Sequence, residues 1–489
     1  MNFDQIPSNL RVPLAYIEFS NARAVSGTPG MAYKKLLIGQ RLSGGAVAAG
    51  ALVRITSDGA AESAFGRGSM LAEMVKVNLA AERFIETWAI ALDEDAAGAA
   101  ALGAITLTGP ATAAGTINLY IAGTRVRIGV ASGAVATDIA TALAAAITAN
   151  TTLPVTAAVD GVDAFKVNLT CRWKGETGND IDLRVNYQTG EVLPAGVGVA
   201  FTAMSGGTGN PDITSALAAM GDEWFNAIAM PFTDTSNLNA LRDDLLERWG
   251  PMVMQEGIAF AAYRGTHSAT GTFGNGRNDH LITIMGTNLS PTAPWIWAAV
   301  NTAIAAGSLN VDPARPLQTL RLPGVLPPAP EDRWRLEERN MLLFDGISTY
   351  TVDAGGNVLI ERQITTYQVN AFDVPDPSYL DVNTPATLGY LRFATRARIL
   401  QKFPRHKLAN DGTRVEAGQA IVTPSDIRNE LLVLFRELEA KGLVESFDQY
   451  KEDLQVVRDE ADKNRINVLG SPDLVNQFRI FAMQMQFIV

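Results

Sequence analysis

The chain has 489 residues, which is too long for one ordinary hydrophobic core and predicts roughly two to four domains. Hydrophobic residues make up 47% and charged residues 19%, a globular composition that excludes the disordered and fibrous classes. The net charge of −11 argues against nucleic acid as a partner, since phosphate binding needs an electropositive surface. A single cysteine, Cys171, excludes a disulfide framework and a cysteine-based zinc site.

The first thirty residues predict an extended arm. Segment 13–19 is rich in strand-forming residues, yet no hairpin turn offers it a local partner. Its apolar side chains Leu14, Tyr16, Ile17 and Phe19 indicate docking on another surface, and a disordered terminus is the alternative. The start has no basic and apolar signal-peptide pattern, and the charge-free stretch 96–124 is broken by glycines and a proline. We therefore expect a cytoplasmic protein without membrane insertion.

Residues 31–94 and 206–330 predict one α/β domain with a mostly parallel sheet. Apolar strand runs at 36–38, 87–92, 225–230, 258–263 and 281–285 alternate with helical patterns, among them one over 292–306. Residues 95–205 interrupt this alternation. Residues 96–158 hold 21 alanines and only three charged residues, and segments 116–121 and 124–130 predict a hairpin across Gly123. We interpret 95–205 as an inserted α+β domain.

Residues 331–471 predict an α+β C-terminal domain. A hairpin is expected from 346–353 and 357–365, and Thr423 and Asp426 predict a capping box that opens a helix ending near Gly442. Residues 472–489 predict a terminal inter-subunit strand, with one face formed by Phe481, Met483, Met485 and Phe487.

Catalytic motifs are missing, and we expect no enzyme activity, no cofactor and no metal. There is no G-x-S-x-G elbow, Walker A sequence, G-x-G-x-x-G or H-E-x-x-H. A triad could still assemble from His267 or His280 with Ser268 and Asp279, because triads are defined by geometry and not by chain order.

A basic segment over 392–414 carries seven basic residues and one acidic residue, while 425–465 carries eleven acidic and seven basic residues. One interpretation is a solvated face that the acidic helices neutralise. The other is docking to an acidic partner surface. The residues of the candidate patch are Arg392, Arg396, Arg398, Lys402, Arg405 and Lys407.

A series of short motifs along nearly the whole chain resembles the contractile tail sheath proteins of Mu-like bacteriophages. The inserted domain matches more loosely. The matching segments, in order, are 10–13, 16–18, 36–40, 65–71, 209–213, 221–224, 231–234, 248–251, 338–339, 343–348, 362–367, 405–408 and 422–424.

The resemblance implies a subunit that stacks in rings around a tail tube and contracts to drive the tube through a bacterial envelope. It implies a subtilisin-like core without a protease site, and terminal extensions that add strands to a neighbour's C-terminal domain. The implied partners are copies of the chain, the tail tube protein, and baseplate and tail terminator proteins, in a virion assembled in the host cytoplasm. The alternatives are a cytoplasmic α/β hydrolase with the insertion as a lid, or another phage tail or baseplate protein.

Overall fold

The structure is a computed structural model that describes residues 30–414 and 418–488. The strands are β1 (Lys34–Gln40), β2 (Leu52–Arg54), β3 (Glu86–Leu92), β4 (Ala100–Thr108), β5 (Gly115–Ile121), β6 (Thr124–Val130), β7 (Val155–Val159), β8 (Lys166–Lys174), β9 (Leu183–Val185), β10 (Gly198–Ser205), β11 (Ala227–Ala229), β12 (Ile258–Tyr263), β13 (Ile282–Gly286), β14 (Thr349–Val352), β15 (Val358–Arg362), β16 (Lys407–Leu408), β17 (Ile421–Val422), β18 (Val444–Glu445), β19 (Gln455–Arg458), β20 (Ile466–Leu469) and β21 (Asp473–Leu474). The α-helices are α1 (Asp58–Phe65), α2 (Met70–Ala81), α3 (Ala136–Ala149), α4 (Thr214–Met220), α5 (Thr235–Trp249), α6 (His267–Asn275), α7 (Pro294–Val311), α8 (Leu336–Phe344), α9 (Asn383–Lys402), α10 (Pro424–Ala440) and α11 (Phe447–Asp453). The chain is therefore a mixed α/β protein with several sheets.

The central sheet has six strands in the order β13-β12-β11-β1-β3-β2. Five of them are parallel, and only β2 pairs antiparallel. Consecutive residues Leu36, Leu37 and Ile38 are fully buried, so both faces of β1 are covered. The strands predicted near 36–38, 87–92, 258–263 and 281–285 are confirmed, and the one predicted over 225–230 is shorter, Ala227–Ala229.

Helix α7 is buried on almost every side, which explains why apolar residues occur all around it. It begins at Pro294, two residues after the predicted start, because proline fits the first turn of a helix. Trp295 and Trp297 are fully buried, and the indole Nε1 of Trp295 donates to Oε2 of Glu73 at 3.2 Å. Burial raises the pKa of the Glu73 carboxyl to about 7. Across the described residues, no helix has the length and apolar character that a bilayer crossing requires.

The chain between β3 and α4 forms two smaller sheets, β10-β4-β8-β7 and β6-β5-β9, with α3 packed beside them. The predicted hairpin β5–β6 is confirmed, and its turn residues Ala122 and Gly123 both have positive φ, as the favoured two-residue hairpin turn requires. At the neck of this region, Ala99 and Thr208 exchange two backbone hydrogen bonds of 3.0 and 3.1 Å. The two ends of the inserted segment therefore lie side by side.

Specific contacts fix the inserted region on the central sheet. The ring of Trp173 meets that of Trp295 edge to face, with centroids 5.5 Å apart. The carboxylate of Asp182 accepts hydrogen bonds from the guanidinium groups of Arg184 and Arg264, the latter at 2.7 Å. Aromatic packing and a shared carboxylate thus join the insertion and the core as parts of one unit.

The described residues divide into two compact units. Residues 32–389 and 476–488 form the core unit, and residues 390–475 form the body of the C-terminal unit. Hairpin β14–β15 belongs to the core unit because Ser348 bridges Met285 at the end of β13. Residues 331–389 therefore pack with the core, while the domain limits given above remain predictions.

Candidate functional site in the C-terminal unit and the terminal arm

Helix α10 organises the C-terminal unit. Its capping box is confirmed: the side chain of Thr423 accepts the backbone N–H of Asp426, and the Asp426 carboxylate accepts the N–H of Thr423. Pro424 occupies the first turn. The predicted apolar face is buried, and its residues are Ile427, Leu431, Leu434, Phe435 and Leu438.

An apolar groove of about 510 Å³ lies within this unit. Helix α9 contributes Ile399, Phe403 follows directly after that helix, and α10 contributes Leu431 and Phe435. Phe435 also stacks on Tyr450, with ring centroids 4.1 Å apart. The hairpin β19–β20 completes the lining with Ile466 and Val468. Water in such a groove finds few hydrogen-bond partners in the apolar walls, so the groove favours an apolar occupant.

The strands of the C-terminal unit pair only two by two. The pairs are β16–β17, β18–β21 and β19–β20. A two-stranded ribbon has an outer backbone edge on each strand, and isolated ribbons are marginally stable without further partners. On the last ribbon, Val457, Val468 and Leu469 are about half exposed or more. The ribbons offer both edges and apolar side chains to an additional strand.

The chain after β21 forms a terminal arm with no regular secondary structure over residues 475–488. The predicted apolar face is exposed: Phe481 by 74%, Met483 by 60%, Met485 by 78% and Phe487 by 87%. Exposed apolar residues in such a run indicate a surface that another molecule covers. The N-terminal counterparts Leu14, Tyr16, Ile17 and Phe19 lie outside the described residues.

The basic segment is divided between buried and exposed positions. Arg398 is buried and donates to Glu430 at 2.7 Å and to Glu437, both on α10. Arg398 therefore links α9 to α10. Because the acidic residues of α10 neutralise its charge, it is not part of the exposed basic surface. Lys402 lies 3.9 Å from Glu430 but is exposed. The other exposed members are Arg396, Arg405 and Lys407, and Arg392 is half-buried.

The histidines considered for a triad have other surroundings. The ring Nε2 of His267 lies 2.9 Å from the carbonyl oxygen of Glu338. His280 packs against Tyr379, with ring centroids 4.7 Å apart, and burial lowers its pKa. Asp279 receives the guanidinium of Arg277 at 2.6 Å. Within the described ranges, no group of three or more His, Cys, Asp or Glu residues is placed to hold a metal ion.

Two features of this region were missed by sequence reasoning. The groove was missed because the charges of segment 392–414 hid two of its apolar residues, Ile399 on α9 and Phe403 directly after it. The second is Arg479, whose guanidinium lies against Asp381 of the core unit at 2.9 Å. The signal for it was present, since Arg479 is the only charged residue after Asp473.

Comparisons with known proteins agree on one family. Residues 206–366 match the model for the phage tail sheath protein central domain, and residues 374–488 match that for the phage tail sheath C-terminal domain. A Mu-like prophage FluMu tail sheath protein of Haemophilus influenzae is 51% identical over 489 residues and covers 100% of both chains.

Solved structures of sheath proteins are more distant. The sheath tail protein of Desulfitobacterium hafniense is 14% identical with a TM-score of 0.48, covering 94% of this chain and 100% of that one. The helical sheath of the anti-feeding prophage in its contracted state is 11% identical with a TM-score of 0.49, covering 98% and 99%. The assignment rests on the two domain models and the 51% identical relative. The resemblance found in the sequence is confirmed, and the chain belongs to the phage tail sheath protein family.

Proposed function

We propose that this chain is a contractile sheath subunit that polymerises as stacked rings around a tail tube, and that strand exchange between subunits holds the rings together. The observation that carries the proposal is the exposed apolar arm, Phe481 to Phe487, which belongs to the core unit while the C-terminal unit has an open apolar groove. Each subunit supplies both the insert and the receptor. Such a pair of surfaces generates a polymer when the receptor used is a neighbour's.

In this proposal the arm adds a strand to a ribbon of a neighbouring C-terminal unit. The odd-numbered residues Phe481, Met483, Met485 and Phe487 would face the groove, since alternate side chains of a strand share a face. A contact of five backbone hydrogen bonds contributes roughly 5 kcal/mol before the entropy of ordering is subtracted. The N-terminal arm, through Leu14, Tyr16, Ile17 and Phe19, is proposed to act in the same way.

The basic residues of the candidate patch other than the buried Arg398 are proposed to face the tail tube. They are Arg392, Arg396, Lys402, Arg405 and Lys407, without Arg398. Water-exposed ion pairs are individually weak, which suits a contact that must dissociate during contraction. Baseplate and tail terminator proteins at the sheath ends, and assembly in the host cytoplasm, belong to the same proposal.

The core is proposed to have a subtilisin-like architecture and no enzymatic role. The partners of the candidate triad residues support this: His267 lies against the carbonyl oxygen of Glu338, His280 packs against Tyr379, and Asp279 is paired with Arg277. Contraction would then release free energy stored in the lattice at assembly, without nucleotide or metal. Contraction of purified particles that stops on chelation or on ATP depletion would refute this part.

Negative-stain microscopy of the purified protein tests the central proposal. Striated tubes are the expected result, whereas compact monomers with esterase or peptidase turnover would favour a hydrolase. The receptor is tested by Val468→Lys, which places a charge on the ribbon at a position 49% exposed. Half of this side chain is already in contact with water, so the variant should fold but form fewer tubes.

The matched control is Val162→Lys in the inserted domain, where the side chain is 92% exposed. It should assemble like the wild type. Equal loss of tubes in both variants would show that the effect is one of added charge and not of the ribbon.

A further inference from the structure

Arg479 is the one residue of the terminal arm whose side chain is enclosed among charged and polar groups of the core. Its Nη2 donates to Oδ1 of Asp381 at 2.9 Å, and its Nη1 donates to Oε1 of Gln318 at 3.3 Å. The side chains of Arg479 and Asp381 are only 13% and 15% exposed. A buried, charge-assisted pair is a far better fixed contact than a surface ion pair.

The receiving carboxylate is itself held in place. Arg362 at the end of β15 donates to both oxygens of Asp381, at 3.1 and 2.9 Å. The backbone of Asp381 bridges that of Ile364. Asp381 is thus oriented by the core fold before the arm reaches it, so binding of Arg479 requires little further ordering.

The large apolar residues on both sides of this contact are exposed, Phe478 by 72% and Ile480 by 80%. From Phe481 to Ile488 the large apolar side chains are 60% exposed or more. Before Arg479, the chain leaves β21 at Leu474. Arg479 is therefore a fixed point in an arm whose neighbouring apolar residues are exposed.

We propose that Arg479 is the anchor of the terminal arm: its contact with Asp381 fixes the point at which the arm leaves its own subunit and so sets the arm's free length. This inference rests on the proposed strand exchange. With the anchor closed, the ten residues after Arg479 can span at most about 35 Å. With it open, the free segment starts at Leu474, and its fifteen residues can span about 50 Å. The closed anchor restricts the neighbours, and the registers, that the arm can reach.

Trypsin tests the anchor in the unassembled protein, because it cleaves after arginine and needs the side chain free. Asp381→Asn keeps the cleavage site but removes the charged acceptor. Release of peptide 480–489, followed by mass spectrometry, should become about tenfold faster, as expected for loss of one hydrogen bond between charged groups. A rate equal to that of the wild type would overturn the proposal.

Two variants separate release of the arm from general loosening. Arg362→Gln loosens Asp381 but keeps its charge, so it should speed cleavage after Arg479 less than Asp381→Asn does. Gln318→Ala removes only a weaker acceptor and should give a smaller increase than Asp381→Asn. If Asp381→Asn fails to fold, Gln318→Ala still decides, since an unchanged rate there would count against the anchor.

Assembly distinguishes failure of the anchor from failure of strand exchange. Deleting residues 480–489 removes the exchanged strand, and Arg479→Gln removes only the anchor. We expect no tubes from the deletion and fewer, irregular tubes from Arg479→Gln, with Arg67→Gln at an exposed pair as the control. Normal tubes from the deletion would refute strand exchange. Normal tubes from Arg479→Gln, together with none from the deletion, would refute the anchor alone.

Discussion

The core unit and the C-terminal unit bury their apolar residues to different extents. In the core, β1, β11, β12 and β13 are buried along consecutive residues, and six strands share one sheet. In the C-terminal unit, every described sheet has two strands, and an apolar groove of about 510 Å³ stays open. Trp297 of the core is 0% exposed, whereas Val468 beside the groove is 49% exposed.

This difference separates two tasks of a sheath subunit. A core that buries its own apolar surface in one large sheet can keep its shape while the subunit is displaced. In the proposed strand exchange, a unit with open ribbon edges gains stability from a neighbour's strand. A polymer that contracts without dissociating needs both a subunit core that keeps its shape and contacts that connect the subunits.

The largest expected effect is the loss of assembly on removal of the arm. Deleting residues 476–489 leaves β21 in place and removes the whole exposed segment. The protein should remain folded by circular dichroism and form no tubes by microscopy. If the arm were part of its own subunit's core, the deletion would give insoluble or unfolded protein instead, and the comparison would break.

Next in size is a cavity in the core. Trp297 is fully buried, and its indole Nε1 donates to Oγ of Ser290 at 3.0 Å. Trp297→Ala should lower the free energy of unfolding by about 3–5 kcal/mol, because it removes apolar contacts and leaves a void. Urea unfolding measures this. Val468→Lys is the reference from the C-terminal unit, and an equal loss there would show that the two units do not differ as described.

A partial effect is expected from the basic patch. Changing Arg396, Arg405 and Lys407 to Gln should reduce recovery of sheathed tubes several-fold and leave melting unchanged. The effect should shrink at raised salt, which screens exposed charges. The control removes three exposed charges of the core, Arg54, Arg67 and Lys76. Equal recovery in the patch variant and the wild type would favour the solvated face.

The smallest effect concerns Glu73, whose carboxyl has a pKa raised by burial to about 7. The folded state then binds the proton more tightly than the unfolded state, so stability falls as pH rises from 4.5 through 7. Glu73→Gln keeps an acceptor for Trp295 and should raise stability at pH 8 by on the order of 1–2 kcal/mol. Melting curves at pH 6 and pH 8 test this. If the variant keeps the same pH dependence of stability, another titratable group is responsible for it.

Local patterns predicted the parts of the molecule that short-range chemistry determines. The buried strands, the β5–β6 hairpin, the hairpin β14–β15 and the capping box at Thr423 each depend on residues close together in the chain. The partners of Arg398 and Arg479 lie 32 to 161 positions away in the chain, and no local period encodes such pairs. The groove lies between several helices and strands, and the apolar residues that line it have the same spacing as core residues. The sequence pattern therefore does not distinguish them from a filled core.

The neck at Ala99 and Thr208 also bears on the order in which the subunit folds. Closing a loop costs entropy that grows with the logarithm of its length, and residues 100–207 separate two halves of the parallel sheet. Once β4 and β10 have paired, Ala99 and Thr208 are neighbours. The effective length of the connection from β3 to β11 is then short, although the inserted segment is long. Folding of the inserted region before the core would therefore shorten the search for the sheet that flanks it in the chain.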